Sequence, residues 1–164
     1  MTLRPRVPLL APLVIAMVAS VARADAPATQ YSLFDSFTPT IADARTGLMW
    51  QRAVNVQQLP FLSAAQYCRA LTLSSYASWR VPSYKELLTL VDETPHEEYE
   101  DGGLVSKAID GNAFPATPPS QFWSSSLDPA DPTKAYAVDF GTGVATSVGT
   151  GSLLDVHYVR CVRP

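Results

Sequence analysis

The chain has 164 residues, and its twelve basic and fifteen acidic side chains leave a net charge of −3. A surface of that sign repels polyphosphates, and the basic residues are scattered rather than clustered, so nucleic-acid binding is a poor fit. With 47% hydrophobic residues the chain can bury one real core, and its length calls for no second domain.

The N-terminus reads as an export signal. Arg4 and Arg6 precede an apolar run from Val7 to Val21 that ends in Ala22-Arg23-Ala24, and small residues at those two flanking positions place cleavage after Ala24. The run holds about fifteen residues and two prolines, short of the roughly 20 that span a bilayer. No cysteine lies near the cut, which argues against a lipid anchor. Residues 1–24 are therefore expected to leave, and no membrane span is expected to remain. Residues 25–164 would keep nine basic side chains (twelve less Arg4, Arg6 and Arg23) against all fifteen acids, a net charge of −6. Such a protein is periplasmic, exposed on the cell surface or secreted. Its two cysteines, Cys68 and Cys161, form an even pair that reads as a disulfide in an exported chain. The rival reading, a metal ligand or nucleophile, lacks a C-x-x-C motif.

Residues 25–40 are expected to form an extended arm, with strand character between Tyr31 and Thr40. Asp43 to Gly47 supplies turn chemistry, and the alternation that follows predicts a strand over Leu48 to Ala53. Ser63-Ala64-Ala65-Gln66 and Ser83-Tyr84-Lys85-Glu86 both fit the capping box that opens a helix. The first helix would carry Cys68 on a buried stripe, and in the second Tyr84, Leu87, Leu88 and Val91 repeat at helical spacing. Asp92 to Ser120, rich in acids, glycine and proline, predicts a long irregular loop with one helical turn near Leu104 to Ile109. Four short strands are expected next, at Gln121–Ser126, Ala135–Phe140, Val144–Val148 and His157–Val162. The expected class is α+β, two helices packed on a small antiparallel sheet.

The residues Asp43-Ala44-Arg45-Thr46-Gly47-Leu48-Met49-Trp50-Gln51-Arg52, Tyr67-Cys68, Trp79-Arg80-Val81-Pro82-Ser83 through Glu86-Leu87, Phe114-Pro115, Phe122-Trp123-Ser124-Ser125-Ser126 and Val159-Arg160-Cys161-Val162-Arg163 strongly resemble the bacterial DUF1566 family. That family is also named for the C-terminal domain of a Legionella collagen-like adhesin. The match runs in order from about residue 41 to 163, within the domain expected at 41–164. Trp79 to Glu86 also looks like a segment of the formylglycine-generating-enzyme group. Both resemblances imply a C-type-lectin-like fold, in which a cysteine on a helix, here Cys68, pairs with one on the final strand, here Cys161. Val81 and Ser83 depart from the usual Leu and Thr while keeping size class and capping ability.

Catalytic chemistry finds little support. His96 and His157 are the only histidines, and no nucleophile elbow, zinc-binding helix or phosphate loop is present. The formylglycine-generating enzymes use a pair of active-site cysteines, whereas both cysteines here are accounted for by the bridge. No cofactor is required by the sequence. Calcium is the one candidate, because Glu97, Glu98, Glu100 and Asp101 sit in a run of six carboxylates from Asp92 to Asp101 that could wrap a hard cation. A solvated acidic surface is the competing reading. Trp50, Trp79 and Trp123 are expected in the core, while Tyr99, Phe114 and Phe122, with Asp128 and Asp131 on a turn, are the candidate ligand contacts. The functional expectation is a non-enzymatic binding or adhesion module for a glycan or surface protein. The alternatives are a structural envelope protein and a diverged enzyme of the formylglycine-generating type.

Overall fold

The computed structural model describes residues 27, 29–33, 38–55, 57–100 and 102–164, with Glu100 described for its backbone alone. The expected signal at 1–24, much of the arm at 25–40 and the candidate metal ligand Asp101 lie outside the described residues, as does the side chain of Glu100.

The described chain is mostly β, 39% strand against 12% helix. Among the described residues eleven strands occur, in the order β1 (Tyr31–Ser32), β2 (Thr40–Asp43), β3 (Leu48–Gln51), β4 (Leu59–Pro60), then helices α1 (Phe61–Ala70) and α2 (Tyr84–Leu88). These are followed by β5 (His96–Glu100), β6 (Gly103–Lys107), β7 (Gln121–Asp128), β8 (Asp131–Asp139), β9 (Ala145–Gly149), β10 (Val156–His157) and β11 (Val162–Arg163). They build four small antiparallel sheets, ordered β1-β2-β3-β11, β10-β4, β5-β6 and β7-β8-β9. The α+β, C-type-lectin-like expectation of two helices packed on one sheet is overturned. The helices have only ten and five residues, and hairpins take up most of the rest.

Local chemistry explains these elements. The β2–β3 turn closes because the Asp43 carboxylate accepts from the Arg45 amide at 2.9 Å and the Thr46 hydroxyl at 2.7 Å, while Gly47 supplies a φ of +71° that other residues resist. Helix α2 starts where the capping box places it. The Ser83 hydroxyl accepts from the Glu86 amide and the Glu86 carboxylate accepts from the Ser83 amide at 2.7 Å. Arg80 grips the same carboxylate with two bonds, of 2.8 and 2.6 Å. The capping box expected at Ser63 does not form. Helix α1 begins three residues earlier, after Pro60, whose φ of −60° and ψ of 154° cap it without a side-chain bond, because the chain passes directly from β4 into the helix.

The long irregular loop expected over Asp92–Ser120 is also corrected, since β5 and β6 pair over five residues from His96↔Lys107 to Glu100↔Gly103. The segment expected to turn helically at Leu104 is the strand β6. Likewise the single strand expected over His157–Val162 is divided. Tyr158 bridges Phe122 in parallel, and the Arg160 side chain turns into the core, so β10 and β11 are separate.

Two adjoining clusters fill the interior. One gathers Trp50, Leu87, Ile109, Phe114, Phe122 and Phe140, and the other Ala64, Trp79, Trp123, Ala137 and the cysteines. Phe122 and Phe140 meet edge to face at 5.0 Å, each fully buried and each contributing about 1.5–3 kcal/mol by leaving water. Cys68 and Cys161 are joined by a disulfide, their Cα atoms 5.5 Å apart. Arg160 is fully buried. Its guanidinium donates to the carbonyls of Gln51 and Arg52 at 2.7 and 2.6 Å and to the Thr117 hydroxyl at 2.6 Å, and it lies 4.6 Å from the centre of the Phe114 ring. Burial pushes its pKa down to about 9, still above neutrality, so it ties strand β3 to the Phe114 loop as a cation.

Candidate functional cleft

A cleft of about 590 Å³ opens where the β1 end of the first sheet meets the exit of α2. Four separate stretches wall it. Gln30 and Tyr31 come from the start of β1, Arg45 and Thr46 from the β2–β3 turn, Thr89 to Glu93 from the link between α2 and β5, and Asp110 from the loop after β6. The Asp43 turn sets Arg45 on the rim, where it is exposed. The capping of α2 fixes the Thr89 end, and the Ala108 carbonyl accepts from the Asp92 amide at 2.9 Å, which holds Asp92 beside the segment leading to Asp110.

Several polar groups of this cleft are free to meet a ligand. Gln30 is 7% exposed, and its side-chain amide bonds to no other described residue. The Tyr31 ring stands edge-on to Phe114 at 5.0 Å, and burial, followed by the carboxylates of Asp43 and Asp110, raises the pKa of its hydroxyl well above the usual value. It is therefore a neutral donor throughout the physiological range. Asp110 Oδ1 accepts from the amides of Asn112 and Ala113 at 2.8 and 3.0 Å, which leaves Oδ2 for a ligand. Asp92 Oδ1 accepts from the Thr94 amide at 2.9 Å, with Oδ2 4.0 Å from His96 Nδ1. Glu93 is exposed at the mouth. Three carboxylates and one guanidinium thus give the described lining a net charge of −2.

The residues singled out by the sequence fall elsewhere. Tyr99 is 82% exposed on the β5–β6 hairpin, opposite the 64% exposed Leu104. Phe114 and Phe122, expected as ligand contacts, are fully buried and belong to the core, held by Tyr31, Phe140 and Arg160. Asp128 accepts from the Ala130 amide and from the Ser147 hydroxyl at 2.6 Å, and Asp131 accepts from the Thr133 amide and hydroxyl. These bonds lower both carboxyl pKa values and serve the β7–β8 turn.

The two candidate calcium ligands whose side chains are described, Glu97 and Glu98, do not converge. Glu97 and Glu98 project to opposite faces of β5. Glu98 is already engaged at 2.9 Å by Lys107, which is itself 2% exposed, and at 3.1 Å by His96. The Lys107 bond, ahead of the His96 bond, holds the Glu98 carboxyl below its usual pKa. Among the described residues no group of three or more His, Cys, Asp or Glu side chains is placed to hold a metal ion. His157 packs against Trp123 at 4.5 Å, and burial lowers its pKa, so it is a neutral packing residue.

The sequence reading missed Gln30, Tyr31, Arg45 and Asp110. The turn signal Asp43 to Gly47 and the Asp110-Gly111-Asn112 turn mark two of the walls, but neither marks a cavity.

Fold and cleft together describe a small β-rich, disulfide-closed domain with a polar cleft of ligand size. Residues 39–163 match the profile of the Lcl C-terminal domain, and the chain belongs to that family. No curated protein and no solved structure matches the chain. Among the described residues no helix is long and apolar enough to cross a membrane.

Proposed function

We propose that the domain at residues 41–164, together with β1, forms an extracytoplasmic, non-enzymatic binding module of adhesive type, and that the cleft between β1 and the α2–β5 link receives a glycan. The observation that carries this reading is the cleft, whose 590 Å³ falls in the range of small-molecule sites. Its lining includes donors and acceptors, among them Tyr31, Arg45, Asp92 and Asp110, beside one aromatic residue, a composition that suits a polyhydroxylated ring. Family membership supports the adhesive role, and the disulfide suits an oxidising compartment. The non-enzymatic reading is supported by the settings of the two histidines, His157 half-buried against Trp123 and His96 paired with Glu98.

The test is a glycan array probed with the exported protein, with and without calcium. Binding to a defined set of glycans that Arg45→Ala or Asp92→Asn weakens at unchanged melting temperature supports the proposal. Binding that neither substitution alters, or no glycan binding at all, overturns it. Calcium dependence would move attention from the cleft to the acidic hairpin.

A further inference from the structure

Among the described residues, β9 is the strand edge that nothing shields. An exposed edge is a row of unpaired backbone donors and acceptors, which proteins blunt with charges, proline, bulges, brevity or a covering segment. The other edges are blunted in these ways. Strands β1, β4, β10 and β11 have two residues each, and Val162 of β11 is also bridged by Arg80. The β5–β6 hairpin carries Glu97, Glu98, Glu100 and Lys107. On the outer side of β7 the Trp123 amide donates to the Tyr158 carbonyl and the Ser125 amide to the Pro82 carbonyl.

Strand β9 ends the sheet β7-β8-β9, and from Val144 to Leu154 the chain has neither a charge nor a proline. Its register with β8 runs unbroken from Lys134↔Gly149 to Val138↔Ala145. The Val144 carbonyl accepts from the Asp139 amide, and the Thr150 amide donates to the Thr133 carbonyl. Inward bonding alternates along an antiparallel strand, so Thr146 and Val148 also bond to β8 while Ala145, Ser147 and Gly149 turn their N–H and C=O groups outward. Those outward groups bond to no other described residue. Apolar side chains flank the same edge. Val144 before it is 54% exposed, and Leu153 and Leu154 in the loop after it are 80% and 89% exposed.

We infer that β9 is a self-association edge, on which a second copy of this chain docks its own β9 antiparallel about a twofold axis at Ser147. The outward residues are symmetric about Ser147, so Ser147 meets its own copy and Ala145 meets Gly149, each pair exchanging N–H and C=O bonds. The uncharged segment lets two acidic chains approach there without like charges meeting. Neighbouring acids stand off the axis, since Asp128 reaches the Ser147 hydroxyl from β7, across β8, and Asp155 lies beside Gly149. Val144 comes opposite Thr150 of the second copy, at the foot of the loop that carries Leu153 and Leu154, so each copy covers the exposed apolar end of the other. A strand of another protein would satisfy the backbone equally but not this reciprocal placement, which favours the second copy.

Sedimentation equilibrium of the exported protein, joined to amide hydrogen exchange over a range of concentrations, tests this. At roughly 100 μM the mean mass should approach twice that of the monomer and fall back on dilution, because an interface this small is transient. The Ala145, Ser147 and Gly149 amides should exchange at least about tenfold more slowly in the dimer, and those of Thr146 and Val148, already bonded to β8, should change less. Ser147→Pro removes an outward donor without touching a β8 bond, and Thr146→Lys sets like charges beside the axis. Each should give a folded monomer at the same concentration, and if the proline variant does not fold the lysine variant decides. A wild type that stays monomeric overturns the inference, and if its edge amides slow only when another protein is added, the edge belongs to a foreign strand. A dimer whose Ala145, Ser147 and Gly149 amides keep their monomer rates, or one that survives both substitutions, overturns it by placing the interface elsewhere.

Discussion

Replacing Glu86 by Gln isolates one charge in a tightly specified cluster. The Glu86 carboxylate receives two bonds from Arg80, at 2.6 and 2.8 Å, and one from the Ser83 amide. Gln can still accept from that amide and so preserves the cap, but it discards the ion pair. The Arg80 bonds, ahead of the Ser83 bonds, push the Glu86 pKa down from 4.5 to about 2. Fully sheltered, that difference would be worth roughly 3 kcal/mol. The side chains of Glu86 and Arg80 are 22% and 43% exposed, so solvent screening reduces the expected loss to about 1–2 kcal/mol. For a domain of this size that corresponds to roughly 4–8 °C in melting temperature.

The sign follows from the direction of the shift. A carboxyl whose folded pKa is depressed stabilises fully above its unfolded value of 4.5, and that contribution disappears as pH falls from there toward 2. Urea unfolding of wild type and E86Q at pH 7, 4.5 and 3 should show a gap that is full at pH 7 and clearly smaller at pH 3. A gap of equal size at pH 7 and pH 3, or no gap at pH 7, would refute the assignment of the stabilisation to charge.

Cys68→Ser and Cys161→Ser should each cost on the order of 4–5 kcal/mol, because either opens the same 93-residue separation. Equilibrium unfolding measures the loss, and thiol titration of denatured, unreduced wild type should find no reactive thiol. Arg160→Lys should cost about 2–3 kcal/mol, since an ammonium cannot reproduce the forked bonds to Gln51, Arg52 and Thr117 or the contact with Phe114. A variant as stable as wild type would remove Arg160 from the framework. Calcium at millimolar concentration should leave the melting temperature within about 1 °C, because Glu98 is held by Lys107 and His96. A rise of several degrees that Glu97→Gln with Glu98→Gln abolishes would establish the hairpin as a calcium site.

What the sequence discloses depends on how far apart the interacting groups lie in the chain. The start of α2 is legible because Ser83 and Glu86 satisfy each other within one turn. The Asp43 turn is legible for the same reason. The cysteine pair is legible by counting. Ser63 misleads because its motif is equally local, yet β4 pairing with β10 across about 97 positions brings the helix start forward to Phe61. The β5–β6 hairpin is hidden because three glutamates weaken its strand signal, although Asp101-Gly102 is a hairpin dipeptide. Phe114 and Phe122 look like ligand contacts beside a supposed loop, and only the distant Tyr31, Phe140 and Arg160 reveal them as core. The cleft is the least legible part. Gln30, Arg45, Asp92 and Asp110 come from four stretches, and nothing in any one stretch says that the others adjoin it.

The position of Cys161 immediately before β11, the edge strand of the order β1-β2-β3-β11, also decides how the domain answers a mechanical pull. Tension entering at Pro164 can peel away little more than Val162 and Arg163 from β3 before it reaches the Cys161 sulfur. From there the load crosses to Cys68 on α1 and bypasses every residue between them. Those intervening residues hold roughly 300 Å of extensible chain and stay slack until the bond is reduced. A pull of this kind would yield by a few ångströms beside Pro164 while the three-stranded sheet β7-β8-β9, which lies between the two cysteines in the chain, is bypassed.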